Sequence, residues 1–225
     1  VCVARARLRV EVARTALLRI ADEGTRSVKS ALAHALRETD TAEGRAVLVH
    51  LLSDDEARAD AVLAIGSAPW PAALPALIEV AEADDHAARL AAAPIARCGA
   101  SGGPSEMNAA ADFLVELLDD DATLAPAVDA LLRLQTGHAS VLARAKRLTK
   151  EPGRRKAAGL CLVAAFGDEG NAGFLELALS GTKTDEDAAR AFLEPLVKDA
   201  DERIRAAAER SWRALDLSHV GAPSR

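Results

Sequence analysis

Apolar residues recur along this chain at the spacing of an α-helix. The clearest stripe runs through Ile204, Ala207, Ala208, Trp212 and Leu215, which return every three or four positions and so share one helical face. No stretch shows the strict alternation of a β-strand. The pattern therefore predicts an all-α fold of about 12–13 helices, at 4–21, 26–38, 42–52, 55–65, 71–83, 86–98, 105–118, 122–135, 139–149, 154–166, 171–180, 185–198 and 201–216.

Polar residues and glycines mark the ends of these predicted helices. Acidic pairs such as Asp54-Asp55 precede helices, where carboxylates cap free N–H groups. Pro126 predicts a kink or a late helix start, because proline lacks a backbone donor. Glycines in the left-handed conformation are expected to close the preceding helices. Their predicted positions are Gly66, Gly99, Gly137 and Gly167.

The chain also contains an internal repeat, in which an acidic residue is followed four positions later by arginine. The first three arginines are 32 and 31 residues apart, and the fourth lies 66 residues further on, so a copy is missing near residue 125. Between residues 170 and 198 the two-helix rhythm breaks, and the layer assignment there stays open. The five pairs are Asp22/Arg26, Asp54/Arg58, Asp85/Arg89, Glu151/Arg155 and Asp201/Arg205.

The segment LVKDADERIRAAAERSWRAL, residues 196–215, resembles the HEAT repeat of the short bacterial, PBS-lyase type. The resemblance implies an armadillo-type fold: a right-handed, two-layer α-solenoid in one domain over 1–225, either complete or a fragment of a longer chain. It also implies that the acid and the arginine of each pair bond to neighbouring repeats, forming a structural ladder. If those bonds are buried, Arg89→Ala should cost about 1–2 kcal/mol of stability.

Composition narrows the class of function. Aromatic residues make up only 3% of the chain, and the net charge is −6, which argues against a protein that mainly coats nucleic acid. The three cysteines have no metal-type spacing, so we expect a reducing compartment. No apolar run approaches the ~20 residues of a membrane span. A cytoplasmic location is expected, unless the native N-terminus lies upstream of Val1.

We expect no catalytic site, no metal site and no cofactor. The five histidines lack helical ligand spacing. Cys98 and Cys161 lie on small-residue faces, which favours buried thiols over nucleophiles. Nucleophile elbows and phosphate loops are not found in the sequence. The acidic triplet Asp119–Asp121 allows two interpretations, helix capping or cation binding.

A basic run over residues 144–156 is the least ordinary feature of the sequence. It contains seven lysines and arginines and a single acidic residue, Glu151. It allows two interpretations: a docking point for an acidic partner or phosphate, or a solvated corner of helix-end cations. We expect Trp70, within the PWP motif, to be partly exposed and available to a partner, and Trp212 to lie in the core. The basic residues are Arg144, Lys146, Arg147, Lys150, Arg154, Arg155 and Lys156, of which Arg155 also belongs to the predicted ladder.

The leading hypothesis is a non-enzymatic scaffold or adaptor that binds a protein partner, because solenoids present long ordered surfaces. The resemblance also admits a lyase or chaperone for bilin-type tetrapyrroles. Nucleic-acid binding through the run 144–156 is the third alternative. It is disfavoured because the chain is acidic and offers few rings for base stacking. The oligomeric state stays open.

Overall fold

The computed structural model describes residues 2–38, 41–168, 170–179 and 186–220, with side chains for 12–38, 41–168, 170, 172–179 and 187–216. Within these residues the regular structure is entirely helical. The thirteen α-helices are α1 (Cys2–Glu23), α2 (Arg26–Leu36), α3 (Ala42–Leu51), α4 (Arg58–Ser67), α5 (Leu74–Ala81), α6 (Asp85–Ala100), α7 (Pro104–Glu116), α8 (Leu124–Leu134), α9 (Ala139–Leu148), α10 (Gly153–Phe166), α11 (Asn171–Leu179), α12 (Glu186–Val197) and α13 (Glu202–Val220).

The predicted all-α class is confirmed, and the helix boundaries mostly agree to within three residues. Short 3₁₀ turns at Pro71–Ala73 and Leu117–Asp119 precede α5 and follow α7. Helix α4 begins at Arg58 instead of residue 55, because the Asp54 carboxylate accepts bonds from the amides of Glu56 and Ala57 and holds a capping turn there. Helix α8 begins late, at Leu124, which puts Pro126 in its first turn, where a missing donor costs little.

The chain divides into two compact units, Val1–Glu106 and Met107–Arg225. In unit 1, helices α2, α4 and α6 pack side by side in one row, while α1 packs on α3 and α5 on α6. Contacts between helices that are next but one in the chain, as in α1–α3, α2–α4 and α4–α6, are typical of stacked helical hairpins. Its core includes Leu48, Ile65 and Ile95. A single domain over 1–225 stays a prediction.

Unit 2 repeats the alternation and then departs from it. Helices α8, α10 and α12 form a row, α9 packs on α10, and α11 packs on α13. Helix α13 also contacts α10 and α12, so the two-helix rhythm is lost at the predicted place. Every position from Lys156 to Val163 is buried, which makes α10 the central helix of the unit. Its small residues allow neighbouring helices to approach it on all sides.

The glycines serve a different purpose from the predicted one. Among the described residues, only Gln135 and Gly153 have positive φ, at 59° and 62°. The expectation that Gly66, Gly99, Gly137 and Gly167 close helices in the left-handed conformation is therefore wrong. Instead, Gly66 lies inside α4, where an added Cβ would come 2.8 Å from Pro94 Cγ of α6. Its role is close helix packing.

None of the described helices is both long enough and apolar enough to cross a membrane.

Candidate interaction surface

The structure separates the basic run into inner and outer cations. Arg144 and Lys156 are only 7% and 3% exposed, so neither presents its charge to a partner. The expectation that these two belong to a docking surface is wrong, because the packing of α9 and α10 buries both side chains. Burial lowers the pKa of Lys156.

Arg144 meets the acidic triplet that precedes α8. Arg144 of α9 forms a short ion pair with Asp119 through Nη2, and its Nη1 donates to Glu151 at 3.2 Å. Glu151 also accepts from Arg155 Nη1 at 3.1 Å. These contacts join the turn after α7 to α9 and to the start of α10. Asp119 is thus engaged by an arginine, whereas Asp120 accepts from the Ala122 amide at 2.5 Å, as the capping interpretation expects.

Asp121 completes this set. Its two carboxylate oxygens lie 2.8 Å from Arg155 Nε and 2.8 Å from Arg154 Nη2. Hydrogen bonds from Arg154 and Arg155 hold the pKa of Asp121 below its usual value. Arg155 also donates to the Asp119 carbonyl at 2.8 Å. We call the connected group the arginine network; its members are Asp119, Asp121, Arg144, Glu151, Arg154 and Arg155.

Outside the network, cationic side chains remain on the exposed face of α9 and the turn after it. Lys146, Arg147 and Lys150 are all exposed there. One turn earlier, the same face carries the half-buried Leu142 and the exposed Ala143. Positions 142, 143, 146, 147 and 150 follow helical spacing and form one continuous strip, which we call the α9 stripe. It is apolar at one end and basic at the other.

Trp70 belongs to unit 1. The expected partial exposure is wrong, because Trp70 is 8% exposed and the Arg45 guanidinium lies over its ring, 5.3 Å from the centroid. The ring packs as an anchor at the start of the 3₁₀ turn, and the cation covers one of its faces. The role proposed for Trp70 in partner binding loses its physical basis, since little of the indole reaches solvent.

The predicted ladder residues do not behave alike. In unit 1, the acids reach neighbouring helices: Asp22 lies 2.6 Å from His50 Nε2, and Asp54 forms a short ion pair with Lys29. Lys29 is buried, and the hydrogen bond that it donates to Asp54 raises its pKa. Arg26 is exposed. The acidic half of the ladder therefore has the expected geometry in the first two copies.

Most of the ladder arginines instead bond within their own turns. Arg58 donates to the Leu52 carbonyl at 3.1 Å, and Arg205 donates to the Asp199 carbonyl at 2.9 Å, in each case six residues earlier. Exposed Arg89 donates only to Asp85 O of its own helix, at 3.2 Å. The expectation that every arginine links neighbouring repeats is wrong, because short turns offer nearer carbonyls. Asp201 likewise pairs locally, with Arg203.

The copy missing near residue 125 has a substitute that the sequence pattern did not show. The buried Thr123 hydroxyl donates to the Leu117 carbonyl at 2.6 Å, again six residues earlier. Thr123 thus closes its turn as Arg58 and Arg205 close theirs. The sequence signal is any side-chain donor placed six residues after the carbonyl that it bonds, of which Thr123 is an example and arginine is only the commonest type.

The two cysteines whose side chains the structure describes, Cys98 and Cys161, are both buried. Burial raises the pKa of the Cys98 thiol to about 11 and that of the Cys161 thiol to about 12, which disfavours the nucleophilic thiolate. Within the described residues, no group of three or more His, Cys, Asp or Glu side chains is arranged to hold a metal ion.

One serine, one histidine and one aspartate do meet, but in an order unlike a hydrolase triad. Ser140 Oγ donates to Asp112 at 2.9 Å and lies 2.8 Å from His138 Nδ1. In a triad the imidazole stands between the hydroxyl and the carboxylate, whereas here the hydroxyl stands between the other two. The hydroxyl proton is therefore committed to Asp112. The contacts join α7 to the first turn of α9.

Comparisons with known proteins add little. No protein-family model matches the chain, and no curated protein matches it. Among solved structures, a designed armadillo repeat protein is similar at 20% sequence identity, covering 84% of this chain and 92% of its own, with a TM-score of 0.43. A similarity of that size supports no argument about function, and the fold rests on the helix contacts described above.

Proposed function

We propose that this protein is a non-enzymatic, HEAT-like adaptor that binds an acidic segment of a protein partner along the α9 stripe. The observation that carries the proposal is the separation of the basic run. The arginine network engages the carboxylates of Asp119, Asp121 and Glu151 with Arg144, Arg154 and Arg155. Lys146, Arg147 and Lys150 remain on the surface.

The stripe suits a protein partner better than a nucleic acid. It offers three cations over little more than one helical turn, whereas duplex binding needs many phosphate contacts. The whole chain carries −6, which repels a polyanion at long range. An acidic protein segment needs only a few complementary charges, and an apolar side chain beside them can pack on Leu142 and Ala143. Duplex binding at physiological salt is not expected.

The position of the stripe supports the same choice. Helix α9 packs chiefly on α10, and the residues of the α9 stripe are exposed or half-buried. The inner side of α9 is fixed by buried Val141, Ala145 and Leu148, so the stripe is presented by a rigid element. A preordered surface binds with a smaller entropic cost than a flexible one. The local helix C-terminus also favours cations here, which gives the stripe a structural role beside the proposed one.

The test is affinity capture from nuclease-treated lysate of the source organism, with three baits. One bait is the native chain, the second carries Lys146→Glu, Arg147→Glu and Lys150→Glu, and the third carries the matched reversal of Arg14, Arg26 and Arg89, three exposed arginines of unit 1. All variants are first checked for unchanged helicity and melting temperature. The change in net charge is the same in both variants, so only its location differs.

We expect a stoichiometric protein partner that the native and control baits retain and the α9 variant loses. Raising the salt concentration should weaken its capture, because exposed charges are screened. Equal capture by all three baits would show that the partner does not bind at the α9 stripe. Capture that disappears with nuclease in every bait would replace the adaptor with a nucleic-acid-binding protein.

A further inference from the structure

The outer face of the α12–α13 hairpin carries a shallow groove that the adaptor proposal does not use. It has a volume of about 340 Å³ and is lined by Glu194, Val197, Lys198, Glu209, Trp212 and Arg213. The sequence stripe predicted Trp212 in the core. Trp212 is instead half-buried and lines the groove together with Val197. A large ring left partly in water on a hairpin surface is a candidate contact residue.

The charges around this groove are arranged in a self-complementary way. On α12, Lys198 Nζ lies 2.7 Å from Glu194, and on α13, Arg213 Nη2 lies 3.2 Å from Glu209. Each wall therefore has one acid and one base, and the lining has no net charge. Such a face offers no preference for a purely acidic or purely basic partner. It does match a copy of itself turned end over end.

We propose that a second copy of this chain occupies the groove through an antiparallel contact between the two α13 helices. In a twofold arrangement each contact occurs twice, so residue i of one copy meets residue j of the other and the reverse. An axis at the level of Ser211 brings Glu209 of each copy opposite Arg213 of the other. The same axis places the two Trp212 rings beside each other in the middle of the contact.

The chemistry of this contact favours self-association over other occupants. The intrahelical pairs hold the four charged side chains on the rims of the groove, so each can exchange its exposed partner for the matching residue of the second copy. The central rings bury apolar surface, which supplies the non-directional part of the affinity. The overall charge of −6 on each chain opposes random association and leaves this neutral face as the favoured meeting point.

The test measures the mass of the full chain by sedimentation equilibrium from low to high micromolar concentration. The native chain of 23.5 kDa is expected to shift toward twice that mass. In Glu209→Arg, two arginines face each other across the axis, and in Arg213→Glu two carboxylates do. Each single variant should raise the dissociation constant by about tenfold or more.

Restoring the opposite charges then distinguishes loss of the Glu209–Arg213 contact between copies from a general loss of stability. An equimolar mixture of the Glu209→Arg and Arg213→Glu proteins pairs opposite charges, and it should form a heterodimer more readily than either variant dimerises alone. The double variant E209R/R213E restores the native pairing in reversed order and should regain self-association. Arg89→Glu, in unit 1, is the control and should leave the dimer unchanged.

Three outcomes would overturn the proposal. A native chain that stays monomeric at high micromolar concentration has no such contact. Dimers that tolerate both single reversals form through another face. A mixture no more associated than its components would show that the charges do not meet across a twofold axis. Circular dichroism of every variant confirms that the hairpin is folded before its mass is interpreted.

Discussion

In unit 1, neighbouring helices are joined by separate polar contacts, whereas in unit 2 one connected network joins the turn after α7 to α9 and α10, beside separate contacts such as Arg133–Asp199 and Ser140–Asp112. The unit 1 contacts are the Lys29–Asp54 pair, the Asp22–His50 bond and the bond of 2.8 Å from Arg97 to the Gly66 carbonyl, and they share no residue. In unit 2, Arg155 and Glu151 connect the pairs made by Asp119 and Asp121.

This difference shows that one sequence pattern serves two purposes. An acid followed four residues later by arginine occurs in both units, yet Arg58 closes its own turn and Arg155 reaches the preceding hairpin. The deciding factor is the neighbouring turn. Only the turn before α8 presents the triplet Asp119–Asp121, and a guanidinium takes bidentate and bridging contacts where carboxylates are within reach.

The largest loss of stability is expected where α9 and α10 approach each other closely in unit 2. A Cβ at Gly159 would lie 2.6 Å from the Ala145 carbonyl oxygen and 2.7 Å from the Thr149 amide nitrogen, both backbone atoms. Gly159→Ala must separate the helices, and we expect a loss of about 3 kcal/mol in the free energy of unfolding. Urea denaturation measures it.

Two further glycines calibrate that measurement. Gly66→Ala in unit 1 meets only the Pro94 ring, at 2.8 Å, and should cost about 1–2 kcal/mol. Gly170→Ala has no atom within 4 Å of its Cβ and should change little. Equal midpoints for the Gly159 and Gly170 variants would show that α9 and α10 do not pack as described.

The next effect tests whether the arginine network is connected. Arg144→Ala removes a buried guanidinium bonded to Asp119 and Glu151, and we expect a loss of about 2 kcal/mol. Asp119→Asn alone should cost less, because that carboxylate is largely exposed. In the double variant the losses should fall short of their sum by about 1 kcal/mol. Strict additivity would mean that the two residues do not interact in solution.

A smaller, pH-dependent effect is expected at Asp121. Its folded pKa is held below its usual value by bonds from Arg154 and Arg155, so the ionised carboxylate favours folding above the unfolded pKa of about 4. That contribution is lost as the pH falls toward the folded pKa. Asp121→Asn should therefore melt about 1–2 °C lower at pH 7. The melting temperatures should converge in acid, and a constant difference across pH would contradict the assignment.

The smallest effect is expected at Arg89. The repeat pattern alone predicts a loss of about 1–2 kcal/mol for Arg89→Ala. Because Arg89 is exposed and bonds only to its own helix, the structure predicts a change within about 0.5 kcal/mol of zero. Comparison with Arg144→Ala in the same urea series decides between a uniform ladder and the local arrangement.

The sequence predicts the helices well because their apolar stripes depend only on local period. Asp54 and Pro126 also mark helix starts in the sequence, because carboxylate capping and the missing proline donor both act within one helical turn. The glycines were misread, since a glycine needed for close helix approach, such as Gly159, has the same sequence appearance as one that closes a turn. Only the three-dimensional packing of α9 on α10 separates the two roles.

The candidate surface was predicted in part. The basic run is visible in sequence, but the division of it depends on which faces of α9 and α10 turn inward. Helical period alone would group position 144 with 147 and 148, whereas the structure buries Arg144 and leaves Arg147 exposed. The meeting of the run with Asp119–Asp121, some 25 residues away, is a tertiary contact with no local signal. The sequence does not predict the Trp212 groove. The apolar stripe of α13 contains both buried residues, such as Ala208, and the half-buried Trp212, and the pattern does not distinguish them.

Competitive lysine labelling tests the central claim, the division of the basic run, most directly. The native chain is treated briefly with an amine-reactive ester, and acylation of each lysine is measured by mass spectrometry with and without urea. We predict that Lys146 and Lys150 are labelled in the folded protein, while Lys156 is protected until unfolding, although its lowered pKa would make an accessible amine more reactive. Labelling of Lys156 in the folded chain at the rate of Lys150 would contradict the account.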